Sequence, residues 1–301
     1  MKALRWGLTA IGALVALVAV AIVVLGWRSP REQYFSVDPQ SVPVPAADDV
    51  EAIERGQYLT HAVAVCGVCH GPDLAGQKMS DSVVYGYIVT PNLTPGRGGI
   101  GASYEVVDWV RAIRHGVTRE GRAFAFMPVD HYFHITDSDL GDMIAYLRHL
   151  PAVDNEGGAF RLGLLPKAII NSGLLGDLVR AKIIDHRAPR PLPAPSRGTY
   201  LAQIGGCDFC HGPALRGGQG PEPGAPPGPD ITGAGLLRER SFEQFVAAMR
   251  TGAMPGGRQI NSMHMPWLGY RNMNDADLRI LYDHLRALGD PPGGAHGSNT
   301  P

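Results

Sequence analysis

The chain has 301 residues, 45% of them hydrophobic and 18% charged, and a formal charge of −1. That length accommodates two domains of ordinary size plus connecting segments. A near-neutral charge presents no basic face and so excludes nucleic acid as an expected partner, while 39 glycines and 25 prolines suit small, loop-rich domains.

Residues 6–27 form an apolar run with Trp6 and Trp27 at its ends. As a helix it would measure roughly 33 Å, close to the hydrocarbon thickness of a bilayer. Indole rings favour the two water–lipid boundaries. The competing reading is a removable secretion signal, with an apolar stretch of about 7–15 residues before a small-residue cleavage site. The best such triplet, Ala19-Val20-Ala21, lies inside the run and is followed by Ile22-Val23-Val24-Leu25. Length therefore favours an uncleaved transmembrane anchor. Lys2 and Arg5 precede the span and Arg28 and Arg31 follow it, so flanking charge does not orient it. Residues 29–48 are Pro-rich and read as a linker.

The rest of the chain is one unit written twice. Glu54-Arg55-Gly56-Gln57-Tyr58-Leu59 leads to Cys66-Gly67-Val68-Cys69-His70-Gly71-Pro72. Ser196-Arg197-Gly198-Thr199-Tyr200-Leu201 leads to Cys207-Asp208-Phe209-Cys210-His211-Gly212-Pro213, with one residue fewer before the first cysteine. A middle helix is expected over 104–114, ending at Gly116, and again over 241–250, with a Ser241-x-x-Gln244 capping box and a stop at Gly252. A last helix is expected over 136–150 and 274–288. Leu140, Met143, Ile144, Leu147 and Leu150 recur at helical spacing, as do Leu278, Leu281, Leu285 and Leu288. The expected fold is all-α, with two tandem domains at 49–155 and 194–290 behind the anchor. Residues 156–193 read as an interdomain linker, apolar but too interrupted by charge for a second span. A membrane-surface contact there is a minor alternative. Residues 291–301 read as a disordered tail.

All four cysteines lie in the two Cys-x-x-Cys-His motifs. Two thiols at this spacing can each form a thioether with a haem vinyl group, and the adjacent histidine then supplies an axial imidazole. Cys66, Cys69, Cys207 and Cys210 are the attachment candidates, and His70 and His211 the iron ligands. A redox cysteine pair would not require histidine in both copies, and a zinc ribbon would place its two pairs much closer. The expected cofactors are two covalently bound haem c groups.

A low-spin carrier needs a second axial ligand, usually a methionine thioether. Met127-Pro128 lies 57 residues after His70, and Met265-Pro266 lies 54 after His211. Both fall in loops between the middle and last helices, so Met127 and Met265 are the candidates. Met263 rivals Met265, and Met254 also precedes a proline. Met79 is too near the motif and Met143 lies on a core stripe. His131, His134 and His264 are alternatives near the same loops.

Both units resemble class I cytochrome c domains. The first resembles more narrowly the cytochrome c subunits of membrane-bound alcohol and gluconate dehydrogenases. It shares the Arg-Gly-x-Tyr-Leu lead-in, Thr90-Pro91-Asn92-Leu93-Thr94-Pro95, Gly99-Ile100-Gly101 and the Met127-Pro128 loop. The resemblance implies that the Pro91 and Pro229 carbonyls accept a hydrogen bond from the ligating histidines. It also implies haem attachment on the outer face of a bacterial inner membrane, with the domains in the periplasm. Such subunits usually carry three haem motifs and this chain has two. A Pro/Gly-rich insert occupies 221–229, and His284 stands at the position of Tyr146. The expected function is transfer of single electrons between a respiratory or dehydrogenase donor and an acceptor. Partners would be a dehydrogenase, a quinol-oxidising complex or a terminal oxidase. The rival is a di-haem peroxidase-like enzyme with one open iron site.

Overall fold

The computed structural model describes residues 2–27, 33–124, 126–157, 161–173, 179–187, 194–220 and 225–289. The expected tail at 291–301, and Leu174, Leu175, Asp177 and Leu178 of the connecting segment, lie outside them. In chain order the elements begin with α1 (Lys2–Trp27), α2 (Val50–Tyr58), a π-helical turn (Leu59–Val63) and α3 (Cys66–His70). Strands β1 (Lys78–Ser82) and β2 (Gly86–Val89) precede α4 (Val106–His115), α5 (Val129–Tyr132) and α6 (Asp137–His149). Then come β3 (Arg161–Leu162), α7 (Leu164–Ser172) and a 3-10 turn (Arg180–Ile183). The second copy holds α8 (Arg197–Ile204), α9 (Cys207–His211), β4 (Arg216–Gly218), β5 (Gly228–Asp230) and α10 (Phe242–Thr251). It closes with β6 (Ala253–Met254), β7 (Arg258–Gln259), α11 (Trp267–Tyr270) and α12 (Asp275–Ala287).

The helices stand where capping chemistry places them. Asp49 caps α2 and Ser196 caps α8, each side chain accepting from a backbone N–H three residues on. The Ser241/Gln244 capping box opens α10, and Glu105 with Asp108 forms the equivalent box on α4. Gly116 and Gly252 close these helices in the left-handed conformation. The expectation of an all-α chain needs correction, because short strands form one three-stranded and two two-stranded sheets. They are two to five residues long. Segments such as Lys78-Met79-Ser80-Asp81-Ser82 carry no apolar alternation, so no strand signal was present to read.

The chain divides into two compact units. The first comprises Met1–Pro39, Cys69–Met127 and Leu150–His186. Its core includes Trp109, Val110 and Ile113 of α4, with Leu74 and Val117. Residues 33–35, expected within a tether, lie against this body: Ala123 N–H donates to Gln33 O at 2.8 Å and Phe35 N–H to Gly121 O at 2.9 Å. The segment expected as an interdomain linker supplies β3, which pairs antiparallel with β2, and α7, which packs on α1. His186 reaches buried His115, the two Nδ1 atoms lying 3.1 Å apart. The His186 Nε2 faces Ala181 O at 2.9 Å. A carbonyl only accepts, so Nε2 carries a proton, and burial lowers the pKa of both imidazoles and favours the neutral pair.

The second unit comprises Gln40–Val68, Pro128–His149 and Arg187–Pro301. Here α2 crosses α6, and α8 crosses α12. Each crossing needs a glycine. A side chain at Gly56 would run into the Asp142 carbonyl and Tyr146, and one at Gly198 into His284. The neighbouring arginines clamp the crossings: Arg55 pairs with Asp139 and, at 2.9 Å, Asp142, while Arg197 pairs with Asp277 at 2.9 Å. Leu59, Leu140, Ile144, Leu201, Leu278 and Leu285 are buried beneath.

The lead-in tyrosines exchange partners between repeats. Tyr58 donates to Asp277 at 2.9 Å and Tyr200 to Asp139 at 2.6 Å. Each hydroxyl also faces the N-terminus of the same helix, from Asn274 N–H at 3.4 Å and Thr136 N–H at 3.3 Å. Burial, and then the partner carboxylate, hold both phenols above the usual tyrosine range.

The residue that the first copy has in excess before its cysteine is taken up by the π-helical turn at Leu59–Val63. Every residue of that turn except His61 is buried.

Gly56→Ala forces two backbones apart and should destabilise by about 1–3 kcal/mol or more. Tyr58→Phe removes a donor from the little-exposed Asp277 carboxylate and should cost about 1–3 kcal/mol. Urea denaturation checks both, and wild-type midpoints would refute the crossing. His115 is held down to about 4, by burial first and then by His186 and nearby arginines. Its folded pKa thus lies below the ordinary 6.5, so the unfolded chain binds more protons in that interval. Its contribution should be intact above about pH 6.5 and be lost progressively as pH falls toward 4. His115→Asn should flatten that limb of the stability–pH curve.

Candidate functional site

Each Cys-x-x-Cys-His motif folds as a single helical turn, α3 or α9, with its histidine last. None of the four cysteines forms a disulfide. Burial pushes the Cys207 thiol up to about 12 and also raises Cys69 and Cys210. Two thiols three positions apart on one helical turn, followed at once by a histidine, suit thioether attachment.

The histidine rings are held in the same way in both copies. His70 Nδ1 lies 3.1 Å from Pro91 O, and His211 Nδ1 lies 2.8 Å from Pro229 O. Because a carbonyl only accepts, Nδ1 carries the proton and Nε2 keeps its lone pair. Burial lowers both imidazole pKa values, while the proline carbonyls act in the opposite direction. The donor set fits a c-type haem: two thiols, and a neutral imidazole with a free, oriented nitrogen.

Local structure fixes the two carbonyls. After Pro91, the Asn92 side chain accepts from Thr94 N–H at 2.9 Å; after Pro229, Asp230 accepts from Thr232 N–H at 2.8 Å. These are matching Asx turns. Leu93 N–H then donates to Leu74 O at 2.8 Å, and Ile231 N–H to Leu215 O at 3.0 Å. Leu74 and Leu215 share a left-handed backbone with φ 58°. Thr90 additionally donates to Cys69 O at 2.7 Å. Sequence reasoning missed the Asx turns, although Asn92 and Asp230 align next to the prolines it singled out.

Met127 and Met265 are half-buried, and each precedes a proline that opens a short helix with nearly the same backbone angles. Met263 is 78% exposed. Met143 is buried in α6, Met79 lies exposed in β1 and Met254 sits in β6. His131 is buried, with Nε2 3.1 Å from Asp208 inside the second motif. His134 is half-buried beside Phe133, and the His264 backbone closes a turn on Asn261. His61, which sequence reasoning passed over, lies 2.8 Å from the Tyr146 hydroxyl and against Gly67 of the first motif.

Residues 53–151 match the Cytochrome c family model. The chain is 26% identical over 277 residues to the fructose dehydrogenase cytochrome subunit of Gluconobacter japonicus, covering 82% of this chain and 54% of that protein. It is 30% identical over 174 residues to the gluconate 2-dehydrogenase cytochrome c subunit of Pantoea cypripedii, covering 54% of this chain and 38% of that one. It is 29% identical over 216 residues to a diheme cytochrome c-type protein of Cereibacter sphaeroides, covering 60% and 68%. The chain thus spans about half or less of the two dehydrogenase subunits. With its motif turn and oriented histidine, the segment 53–151 matches a cytochrome c domain, and the chain carrying it is similar to the cytochrome c subunits of fructose and gluconate dehydrogenases.

Proposed function

We propose that the chain binds two covalent haem c groups, one per repeat, and passes single electrons as the cytochrome subunit of a membrane-bound dehydrogenase. The observation that carries this reading is the repetition of the histidine geometry, at 3.1 Å in the first copy and 2.8 Å in the second. Similarity to a diheme protein supports the count of two. The architecture proposed is two tandem class I cytochrome c domains, at 49–155 and 194–290, behind a transmembrane helix.

When bound, haem supplies the one-electron couple, and the protein sets its potential, spacing and exposure. Cys66, Cys69, Cys207 and Cys210 hold it by thioethers. His70 and His211 offer Nε2, with their rings fixed by the Pro91 and Pro229 carbonyls. Met127 and Met265 would supply the thioether ligands; Met265 is preferred over Met263 because it is half-buried while Met263 is exposed.

The exposed apolar α1 supports anchorage in a bacterial inner membrane with the haem domains in the periplasm. The names of the relatives support a dehydrogenase as electron donor. A quinol-oxidising complex or terminal oxidase is the class of partner proposed on the other side. A methionine in each of the two equivalent loops favours closed, six-coordinate irons over a peroxidase with an open site.

The purified chain should carry two haems, and Cys207→Ala with Cys210→Ala should halve the haem-to-protein ratio. Met127→Ala and Met265→Ala should each turn one haem high-spin, lower its potential and open it to cyanide. Met263→Ala should leave both spectra unchanged. Rapid cyanide binding by the wild-type protein, or an unaltered spectrum after Met265→Ala, would overturn the His/Met assignment.

A further inference from the structure

The turn joining β1 to β2 is Val83-Val84-Tyr85, and its side chains point into solvent: Val83 is 99% exposed, Val84 51% and Tyr85 56%. Three consecutive apolar residues at a hairpin tip, one fully and two half in solvent, leave apolar surface that the described residues do not cover. The tip is also rigidly placed. Tyr85 N–H donates to Ser82 Oγ and Gly163 N–H donates to Tyr85 O, both at 2.9 Å. Gly86 pairs with Leu162 of β3. A side chain at Gly163 would collide with Val84 O, so the start of α7 lies directly behind the tip.

From there the contacts lead to α1. The backbone of Leu164 lies against Gly26, close enough that a side chain at Gly26 would meet its carbonyl. Asn171, at the other end of α7, donates to Leu25 O at 2.8 Å. So α7 packs on the end of α1 at Leu25 and Gly26, just before Trp27, and Leu164 is half exposed beside it. The cations Arg161 and Lys167 flank this surface. Apolar tip, apolar helix and basic flank match the pattern of an interfacial membrane contact.

We propose that residues 83–85, together with α7, dip into the outer leaflet of the bilayer beside the end of α1. The first unit is then seated on the membrane surface by two apolar insertions and does not hang from a single helix. The inference rests on reading α1 as an anchor. What favours lipid over a protein partner is continuity: the tip, α7 and the end of α1 form one connected surface, and α1 shows no buried residue across its apolar window.

The test uses the full haem-loaded chain in vesicles of mixed zwitterionic and anionic phospholipid containing a diazirine-bearing lipid. After illumination, crosslinked lipid is mapped by mass spectrometry. Label is expected in α1, at 83–85 and at Leu164, and the 83–85 label should disappear in a Val83→Asp, Val84→Asp variant that retains its haem spectrum. Label in α1 with none at 83–85 would overturn the proposal and leave the anchor standing. No label in α1 would overturn both. A tip that stays water-accessible in vesicles and becomes protected only when a dehydrogenase is added would assign the surface to a protein partner instead.

Discussion

The second compact unit depends on the distance between two helix backbones. At Gly56 and at Gly198 the lead-in helix of a repeat lies on the repeat's last helix with no room for a Cβ. That approach explains the whole Arg-Gly-x-Tyr-Leu string. The glycine permits contact. The arginine one residue earlier reaches the carboxylates of the opposing helix. The leucine goes down into the core. The tyrosine reaches the last helix of the other copy. Asp139 and Asp277 are each thereby met by an arginine of their own repeat and a phenol of the other, which offsets the cost of burying charge.

The reciprocal tyrosines exchange hydrogen bonds between the two copies and tie their helices into one compact unit. His131 adds another tie: it follows the first methionine loop and meets Asp208 within the second motif. On the other side, Gly269 of α11, after the second methionine loop, leaves space that Val65 and Val68 at the first motif occupy. The two copies thus touch through equivalent elements.

The attachment geometry has a different origin, in loops rather than helices. An imidazole must point one nitrogen at a fixed place, and a flexible loop cannot hold it there. In both copies an Asx turn follows the proline, and the next residue hydrogen-bonds to a leucine in a left-handed conformation. The short strands β1–β2 and β4–β5 belong to the same device, since they clasp the loop between the motif and the proline segment. They carry too little apolar pattern to stand out as strands, and this is why the chain read as wholly helical.

By itself the sequence determined whatever depends on nearest neighbours along the chain. The Cys-x-x-Cys-His spacing is legible because one helical turn sets the separation of the thiols. The helices at 106–115, 137–149, 242–251 and 275–287 are legible because caps and apolar spacing act within a few residues. Tertiary structure alone decided the rest. It turned residues 33–35 from a tether into a strap against the first unit and gave the 156–193 segment a strand and a helix on α1. It left Met263 exposed and Met265 half-buried. It sent Tyr58 to Asp277, 219 positions away. No local pattern encodes such a partner, because the pairing arises only when two helix crossings bring distant carboxylates and phenols to the same place.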